Sequence, residues 1–234
     1  MDEPRYAIYF VPPAGSALYR FGSTFLGYDC YAGDAIGWAE EVGLDAREWA
    51  ELTREPRRYG FHATLKAPFR LRSGIGERDL TTELGRFAAL PREPAVIEPG
   101  IRSLGRFIAV VPVVSSAAVD RLAADCVTAF DRFRRPLTPA ERLRRLSTGL
   151  SERQIANLDQ WGYPYVFDEF QFHLTLTGPL GLERRASIAA LLQARFEQGD
   201  ARGHVPIAQL ALMRQHAPSS PFHVVCQVAL TMLR

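Results

Sequence analysis

The stretches "RYGFHATLK" (residues 58–66) and "FQFHLTLTG" (residues 170–178) decide the fold of this chain, because they repeat one local frame, His-x-Thr-Leu. Their histidines, His62 and His173, lie 173 − 62 = 111 residues apart, and the chain contains only five histidines in 234 residues. Two copies of this frame would arise by chance on the order of once in a few thousand such compositions. The repeat therefore predicts two related half-sites.

Each stretch is expected to form a β-strand with one apolar and one polar face, because successive side chains of a strand point to opposite sides. The apolar faces contain Phe61, Ala63 and Leu65 in the first stretch, and Phe170, Phe172, Leu174 and Leu176 in the second. The polar faces contain His62, Thr64 and Lys66 in the first stretch, and Gln171, His173, Thr175 and Thr177 in the second. Each strand is thus predicted to have one face in the core and one face available for chemistry.

The paired histidines are typical of acid–base catalysis. Two imidazoles with an unperturbed pKa of ~6.5 can hold opposite protonation states near neutral pH, so that one acts as general base and the other as general acid. The hydroxyls of Thr64 and Thr175 can donate hydrogen bonds to an anionic centre between them. This set of residues suits in-line attack on a phosphodiester. The sequence leaves open which of His62 and His173 is the acid.

Five neighbouring residues are weaker candidates for substrate binding. Lys66 shares the predicted face of His62 and is either a phosphate ligand or a solvated charge at a strand end. Arg58 and Tyr59 precede the first motif and could reach a second phosphate. The remaining two candidates, which flank the second histidine on its polar face, are Gln171 and Thr177.

The predicted elements follow a similar order in the two halves, which indicates an internal duplication. The first half is expected to contain a strand at 6–11, a glycine-containing loop to 33, a helix at 46–54 between Asp45 and Pro56, the first motif strand, a helix around 80–88, and two strands joined near Gly105. The second half is expected to contain a helix at 119–133, the second motif strand, a helix ending at Gly199, and strands at 205–213 and 222–231.

Two capping-box sequences, "TPAE" and "SERQ", predict a pair of short helices in a helical insertion at 137–162, which closes at Gly162. We expect residues 1–234 to form one domain that carries this insertion. Whether these two helices act as a lid cannot be read from their sequence.

His62-Ala63-Thr64-Leu65 and His173-Leu174-Thr175-Leu176 resemble the paired motifs of the two-histidine (2H) phosphoesterase superfamily. The resemblance implies an α+β fold that is bilobal and pseudo-duplicated, with two antiparallel β-sheets flanking a central cleft and helices packed on the outside. It also implies metal-independent hydrolysis or transesterification of a cyclic or 2′,5′ phosphodiester, and no cofactor is expected. In that case the two histidines are acid and base, and the two threonines bind the phosphate.

Two longer stretches, "YAIYFVPPAGSALYRFGSTFLGYD" (6–29) and "RRYGFHATLKAPFRL" (57–71), resemble the branch of this superfamily encoded beside carbon-phosphorus lyase genes. That branch implies a small phosphorylated substrate, such as a phosphoribosyl cyclic phosphate in phosphonate metabolism. Two alternatives stay open. One is an RNA-end 2′,3′-cyclic phosphodiesterase or 2′,5′-ligase-like enzyme, and the other is a protein that binds a phosphorylated ligand without catalysis.

Net charge, cysteine and histidine spacing, and the N-terminal sequence indicate which partners and which cellular compartment to expect. A net charge of +2 from 28 basic and 26 acidic residues gives no reason to expect binding to long nucleic acid. The three cysteines have no C-x-x-C spacing, and His204, His216 and His223 have no metal-ligand spacing, so neither a disulfide framework nor a metal site is predicted. The N-terminus lacks a signal-peptide pattern, and no apolar run approaches the ~18 residues of a membrane span. We expect a soluble, cytoplasmic protein of undetermined oligomeric state.

Overall fold

The computed structural model describes residues 3–38 and 43–233, which contain helices and antiparallel strands in one mixed fold. The helices are α1 (Ala17–Leu26), α2 (Ala46–Arg57), α3 (Glu77–Ala89), α4 (Ala117–Asp131), α5 (Pro139–Leu146), α6 (Glu152–Trp161) and α7 (Leu182–Gln198), with a 3₁₀ turn at Phe167–Glu169. The strands are β1 (Arg5–Phe10), β2 (Tyr28–Asp29), β3 (Asp34–Ala35), β4 (Ala63–Phe69), β5 (Val96–Ile97), β6 (Pro99–Leu104), β7 (Phe107–Pro112), β8 (Leu174–Thr175), β9 (Val205–Pro206), β10 (Gln209–Gln215) and β11 (His223–Ala229).

Seven strands form one sheet in the order β11-β10-β1-β4-β8-β7-β6, and its neighbouring strands are antiparallel. The predicted α+β class with antiparallel strands is confirmed. The expectation of two separate sheets needs a correction, because the pair Ala63–Leu174 joins β4 to β8 and makes the sheet continuous. These two residues are the central residues of the two motifs. Pairing there gives hydrogen-bond partners to strand edges that would otherwise be buried without them.

Each motif strand pairs with a hairpin or strand that is distant in sequence. The β6–β7 hairpin follows the first motif along the chain but pairs with β8 of the second motif. The β10–β11 hairpin follows the second motif but joins β1, which lies beside β4 of the first motif. The two halves of the sheet therefore exchange hairpins, an arrangement that fits the predicted internal duplication.

The apolar faces predicted from side-chain alternation lie in the core, except for Phe170, which is half-buried and lines a cavity instead. The fully or nearly fully buried residues on these faces are Phe61, Ala63, Leu65, Phe172, Leu174 and Leu176. The second motif is less regular than expected, because only Leu174 and Thr175 form a strand and the 3₁₀ turn at Phe167–Glu169 precedes it. The core face of each motif is nevertheless the one that alternation predicts.

Helix α1 occupies part of the segment that was expected to be a glycine-containing loop. Ser16 caps its start through a bond from the Tyr19 N–H, and Gly27 ends it in a left-handed conformation. Inside the helix, Gly22 lies against the ring of Phe61, where a Cβ atom would come within 2.2 Å of ring carbons. Glycine is therefore present at position 22 because the helix packs closely on the first motif, and not because the chain turns there.

Helix α2 begins at the predicted cap, Asp45, but continues to Arg57 and includes Pro56 in its last turn. A proline within a helix leaves the carbonyl four residues earlier without its usual partner. That carbonyl belongs to Leu52, and here it accepts the N–H of Gly178 at 2.8 Å. The predicted stop at Pro56 was wrong. The helix can include Pro56 because the carbonyl of Leu52, which the proline leaves without a helical partner, is hydrogen-bonded to the end of the second motif.

Candidate active site

The two motifs line one cleft of about 390 Å³. Its wall includes both motif histidines and the motif threonines, which are His62, Thr64, His173 and Thr175. The register Ala63–Leu174, extended by one residue in each direction, places His62 opposite Thr175 and Thr64 opposite His173. Each histidine thus lies across from the threonine of the other motif, and the site has approximate twofold symmetry.

The two imidazoles are anchored in the same way. His62 Nδ1 lies 2.9 Å from the carbonyl oxygen of Gly60, and His173 Nδ1 lies 2.7 Å from the carbonyl oxygen of Gln171. A carbonyl can only accept, so each Nδ1 carries the proton and each Nε2 is left for chemistry in the cleft. His62 Nε2 is 3.1 Å from Thr64 Oγ1, whose hydroxyl can donate to it. The geometry fixes the tautomer of both rings.

Gly60 is required for this anchoring. It has a φ of +73°, and a Cβ atom there would come within 2.7 Å of Cys30 Cβ. Only glycine adopts this conformation at low cost while its carbonyl is directed at an imidazole. The glycine two residues before His62 is therefore part of the support of the site.

The surroundings of the two histidines favour their neutral forms. His62 stacks on the buried ring of Tyr9 with 3.7 Å between ring centroids, and its burial, with a smaller contribution from His173, lowers its pKa to about 4. Burial also lowers the pKa of His173, whose ring lies 5.6 Å from that of Phe107. A negative charge bound between the rings would shift both pKa values upward again.

Lys66 does not line the cleft, contrary to the simple alternation of the first motif. It is 3% exposed, and its Nζ donates to Asp131 Oδ1 at 2.7 Å and to the carbonyl of Val127 at 3.1 Å, both on α4. The β1–β4 register is irregular here, since Tyr9 pairs with Thr64 while Ile8 pairs with Lys66. The extra residue on β4 turns Lys66 away from the face of Thr64.

The remaining sequence-based candidates differ in their positions. Tyr59 lines the cleft with its ring stacked on Phe222 at 5.4 Å, but Arg58 binds the carbonyl of Pro218 and lies 3.9 Å from the Glu55 carboxylate. Two further candidates, Gln171 and Thr177, are placed by their bonds to the backbone. Gln171 is exposed beside the cleft and anchors His173 through its own carbonyl, whereas Thr177 lines the cleft but is buried and accepts the Ile108 N–H at 3.0 Å.

Several residues that line the cleft were not identified from the sequence. They are Arg5 and Tyr9 of β1, Phe107 of β7, Arg145 of α5, and Tyr163, which directly follows the 137–162 segment. Nothing local in the sequence marks them, because each reaches the cleft through a contact between elements that are remote in sequence. The predicted caps in this segment, at Thr138, Ser151 and Gly162, are confirmed, and α5 together with the chain after α6 forms part of the wall of the cleft.

A second cavity, of about 360 Å³, adjoins the cleft and shares five wall residues with it, including His173 and Phe107. We call it the aromatic pocket. Its aromatic lining consists of Phe107, Tyr163, Tyr165, Phe167 and Phe170. At one side, Gln154 Nε2 donates to Glu169 Oε2 at 2.8 Å. The cleft therefore opens into a space suited to a planar ring.

Residues 3–38 and 43–233 contain neither a candidate metal-ion cluster nor a candidate membrane-spanning helix. No three His, Cys, Asp or Glu side chains in this part of the chain are grouped so that they could hold a metal ion. None of its helices is both long and apolar enough to cross a membrane.

Residues 64–223 match the family model described as "Protein of unknown function (DUF1045)", and the chain belongs to that family. The matched segment contains the last two residues of the first His-x-Thr-Leu motif, Thr64 and Leu65, and the whole of the second. Its first residue, Thr64, lies two positions after His62.

Two curated relatives carry the name "Ribose 1,5-bisphosphate phosphokinase PhnN". The protein from Janthinobacterium sp. (strain Marseille) is 36% identical over 93% of this chain and 49% of its own length. The protein from Laribacter hongkongensis (strain HLHK9) is 34% identical over 97% of this chain and 52% of its own length. The chain thus spans about half the length of the curated relatives it matches.

Solved structures of similar length also match. E. coli LigT complexed with 3'-AMP has a TM-score of 0.44 and 13% identity, with 98% of this chain and 99% of that chain covered. TT0787 of Thermus thermophilus has a TM-score of 0.47 and 13% identity, with 98% and 100% covered.

Proposed function

We propose that this chain is a phosphoesterase that hydrolyses a small cyclic phosphodiester by paired-histidine acid–base catalysis. The arrangement that carries the proposal is the symmetric pair of imidazoles in one cleft. Each donates its Nδ1 proton to a backbone carbonyl and directs its Nε2 to the cleft, where the Nε2 of His62 lies 3.1 Å from the Thr64 hydroxyl. A cleft of about 390 Å³ is in the range of small-molecule sites. The proposed chemistry uses the side chains of the two motifs and one water molecule.

The surroundings of the two rings favour His62 as the general base. Its stacking on Tyr9 and its low pKa, about 4, keep Nε2 unprotonated at neutral pH, so that it can accept a proton from water. His173 is then the general acid, and the negative charge of the bound phosphodiester raises its pKa and favours protonation at Nε2. Thr64 and Thr175 donate to the non-bridging phosphate oxygens between the rings.

In the proposed step, a water oxygen attacks phosphorus in line with the leaving oxygen. His62 takes one proton from this water as the new P–O bond forms. The ester bond on the opposite side breaks, and His173 gives its Nε2 proton to the departing alkoxide. The product is an acyclic phosphate monoester, and proton exchange with solvent restores both histidines. Each proton transfer is expected to contribute roughly 10²–10⁴-fold in rate.

The substrate that fits best is a ribose-based cyclic phosphate, such as a phosphoribosyl cyclic phosphate in phosphonate metabolism. Both curated relatives are named for a reaction on a ribose phosphate. The two stretches that resemble the phosphonate-associated branch, at 6–29 and 57–71, contribute Tyr9, Tyr59 and the first motif to the cleft. A small sugar phosphate also agrees with the net charge of +2, which offers little for a long polyanion.

One observation favours an alternative substrate. The aromatic pocket adjoins the cleft on the side of His173 and could stack a nucleobase. An RNA-end 2′,3′-cyclic phosphate, or the 2′,5′ linkage of a ligase-like relative, would place a base there while its phosphate lies between the histidines. The two substrate classes differ in whether the aromatic pocket is used.

The direct test is a comparison of three substrates. Purified protein is incubated, with and without EDTA, with ribose 1,2-cyclic phosphate 5-phosphate, adenosine 2′,3′-cyclic phosphate, and an RNA oligomer with a 2′,3′-cyclic end. Phosphorus NMR or chromatography follows the conversion to a monoester. We expect the ribose compound to be hydrolysed fastest, with a rate unchanged by EDTA. His62→Ala and His173→Ala are each expected to lower kcat/KM by about 10²-fold or more.

The matched control is His204→Ala, because His204 is exposed and lies outside the cleft. This variant should retain the activity of the wild type. Full activity in His62→Ala or in His173→Ala would refute the proposal, provided that circular dichroism shows both variants folded. A tightly bound substrate that is recovered unchanged from the wild type would instead indicate a binding protein.

A further inference from the structure

A third cavity, which we call the arginine pocket, lies beside the cleft. Its wall contains six arginines, which are Arg5, Arg70, Arg134, Arg135, Arg144 and Arg145, and one carboxylate, Glu141. Arg5, Pro68 and Arg145 belong to the walls of both the cleft and the arginine pocket. A ligand in the cleft can therefore extend into the pocket without leaving the protein surface.

The arginine pocket has more positive charge than its acidic neighbours balance. Glu141 accepts from Arg70 at 2.9 Å and from Arg135 at 3.3 Å, Glu3 lies 3.5 Å from Arg135, and Arg134 pairs with Asp131 at 2.7 Å. Within residues 3–38 and 43–233, the other three arginines have no carboxylate within 4 Å, and these are Arg5, Arg144 and Arg145. Two of these three are the arginines that also line the cleft. The excess charge is thus concentrated at the boundary with the cleft.

The two boundary arginines are held in place by neutral groups. Arg5 uses its Nε to donate to Gln215 Oε1 at 2.7 Å, and its guanidinium lies 5.5 Å from the ring centroid of Phe222. The guanidinium of Arg145 lies 5.4 Å from the ring centroid of Tyr163. These contacts leave the terminal N–H groups of Arg5 and the guanidinium of Arg145 for a ligand. Such planar forks match the oxygens of a phosphate.

The size of the arginine pocket limits what it can hold. Its volume is about 40 Å³, compared with about 390 Å³ for the cleft. This is space for a few water molecules, since one water molecule needs a cavity volume of about 10–15 Å³. A phosphoryl group fits that space, whereas a sugar or a nucleobase does not. The charge, the donor geometry and the size of the pocket therefore all favour a phosphate group as its ligand.

We propose that the arginine pocket binds a terminal phosphate monoester of the same substrate whose cyclic phosphodiester lies between His62 and His173. The inference rests on the proposed function, and it deepens it by assigning Arg5 and Arg145 as the residues that select a doubly phosphorylated substrate. Arg145 comes from α5, so the 137–162 segment contributes to this selectivity together with β1. A cyclic phosphodiester without the second phosphate leaves the two arginines solvated, so they contribute no binding energy to it.

The kinetic test compares ribose 1,2-cyclic phosphate with and without its 5-phosphate. The wild type should prefer the 5-phosphorylated compound by about tenfold to a hundredfold in kcat/KM, the range expected for charged hydrogen bonds. In Arg145→Gln this ratio should fall to within about threefold of one. The matched control is Arg153→Gln, which removes the same charge from an exposed site on α6 outside the pocket. It should keep the ratio of the wild type.

Failure of this inference can be told apart from failure of the proposed function. If the wild type hydrolyses both compounds equally, the arginine pocket has no such role but the histidine chemistry stands. If neither compound is hydrolysed, the pocket is tested by calorimetric titration of ribose 5-phosphate into a His62→Ala, His173→Ala background, with and without Arg145→Gln. Binding weakened at least tenfold by Arg145→Gln supports the pocket. Equal binding in the two proteins overturns it.

Discussion

Replacement of Lys66 by methionine should lower stability and leave substrate recognition unchanged. Lys66 is 3% exposed, and its Nζ binds Asp131 Oδ1 at 2.7 Å and the carbonyl of Val127 at 3.1 Å. Methionine has a similar length and fills the same apolar path, so that the loss is mainly that of the polar contacts. Asp131 keeps Arg134 at 2.7 Å and is not left as an unpaired buried charge.

These contacts set the size of the effect. Removing one partner of a buried pair costs about 3–5 kcal/mol when the other charge is stranded, and a charged hydrogen bond contributes about 1.5–3 kcal/mol. Because Arg134 remains beside Asp131, we expect Lys66→Met to lower the free energy of unfolding by about 2 kcal/mol. For a chain of this length that corresponds to a fall in Tm of about 4–8 °C.

Urea denaturation measures the stability, and steady-state kinetics at 25 °C measure the function. The kcat and KM of Lys66→Met should stay within about threefold of the wild type, because the side chain packs on α4 and not in the cleft. Asp131→Asn serves as the matched variant. In a double-mutant cycle with Lys66→Met it should show a coupling of about 1 kcal/mol. A KM raised tenfold at unchanged stability would refute the reasoning and place Lys66 at the substrate.

Three further changes test the support of the site. The free energy of unfolding should fall by up to about 3 kcal/mol as the pH drops from 6.5 to 4, because folded His62 has a pKa of about 4 and the unfolded chain takes up its proton first. Gly22→Ala should lower the free energy of unfolding by about 1–3 kcal/mol in urea denaturation, since the new methyl group clashes with the Phe61 ring. Thr64→Val and Thr175→Val should each lower kcat by about 10²-fold in the cyclic phosphate assay, through loss of a hydroxyl donor.

Each of these three predictions has a control. His62→Gln should remove most of the acid-dependent loss of stability, and an unchanged pH dependence would contradict the burial argument. Gly85→Ala, on the open side of α3, should be neutral or stabilising, in contrast to Gly22→Ala. Serine at position 64 or 175 keeps the hydroxyl and should restore most of the activity. If valine and serine behave alike, the hydroxyls are not phosphate donors.

Helix caps were predictable from sequence because they depend on a few neighbouring residues. Asp45 accepts the N–H groups of Arg47 and Glu48, and Thr138 and Ser151 form the predicted capping boxes. The capping rule did not reveal the end of α2. Pro56 stays in the helix because Gly178, more than a hundred positions later, uses the Leu52 carbonyl that the proline leaves without a partner.

Alternation was reliable only where the strand register was continuous. It correctly placed Phe61, Ala63 and Leu65 in the core and His62 with Thr64 in the cleft. It placed Lys66 on the wrong face, because β4 holds an extra residue against β1 between Thr64 and Lys66. A bulge of this kind depends on the partner strand, so the sequence of β4 alone does not reveal it.

The sequence by itself determined the candidate reacting groups, since the repeated His-x-Thr-Leu frame predicts two half-sites wherever its two strands meet. Only the tertiary structure decided how they meet, through the single pair Ala63–Leu174 that sets each histidine across from the other threonine. It also decided which cations border the site, because Arg5 arrives from β1 and Arg145 from α5, two elements that are remote in sequence. Backbone pairing and side-chain alternation are local rules, whereas the partners that surround a cleft depend on how distant segments pack.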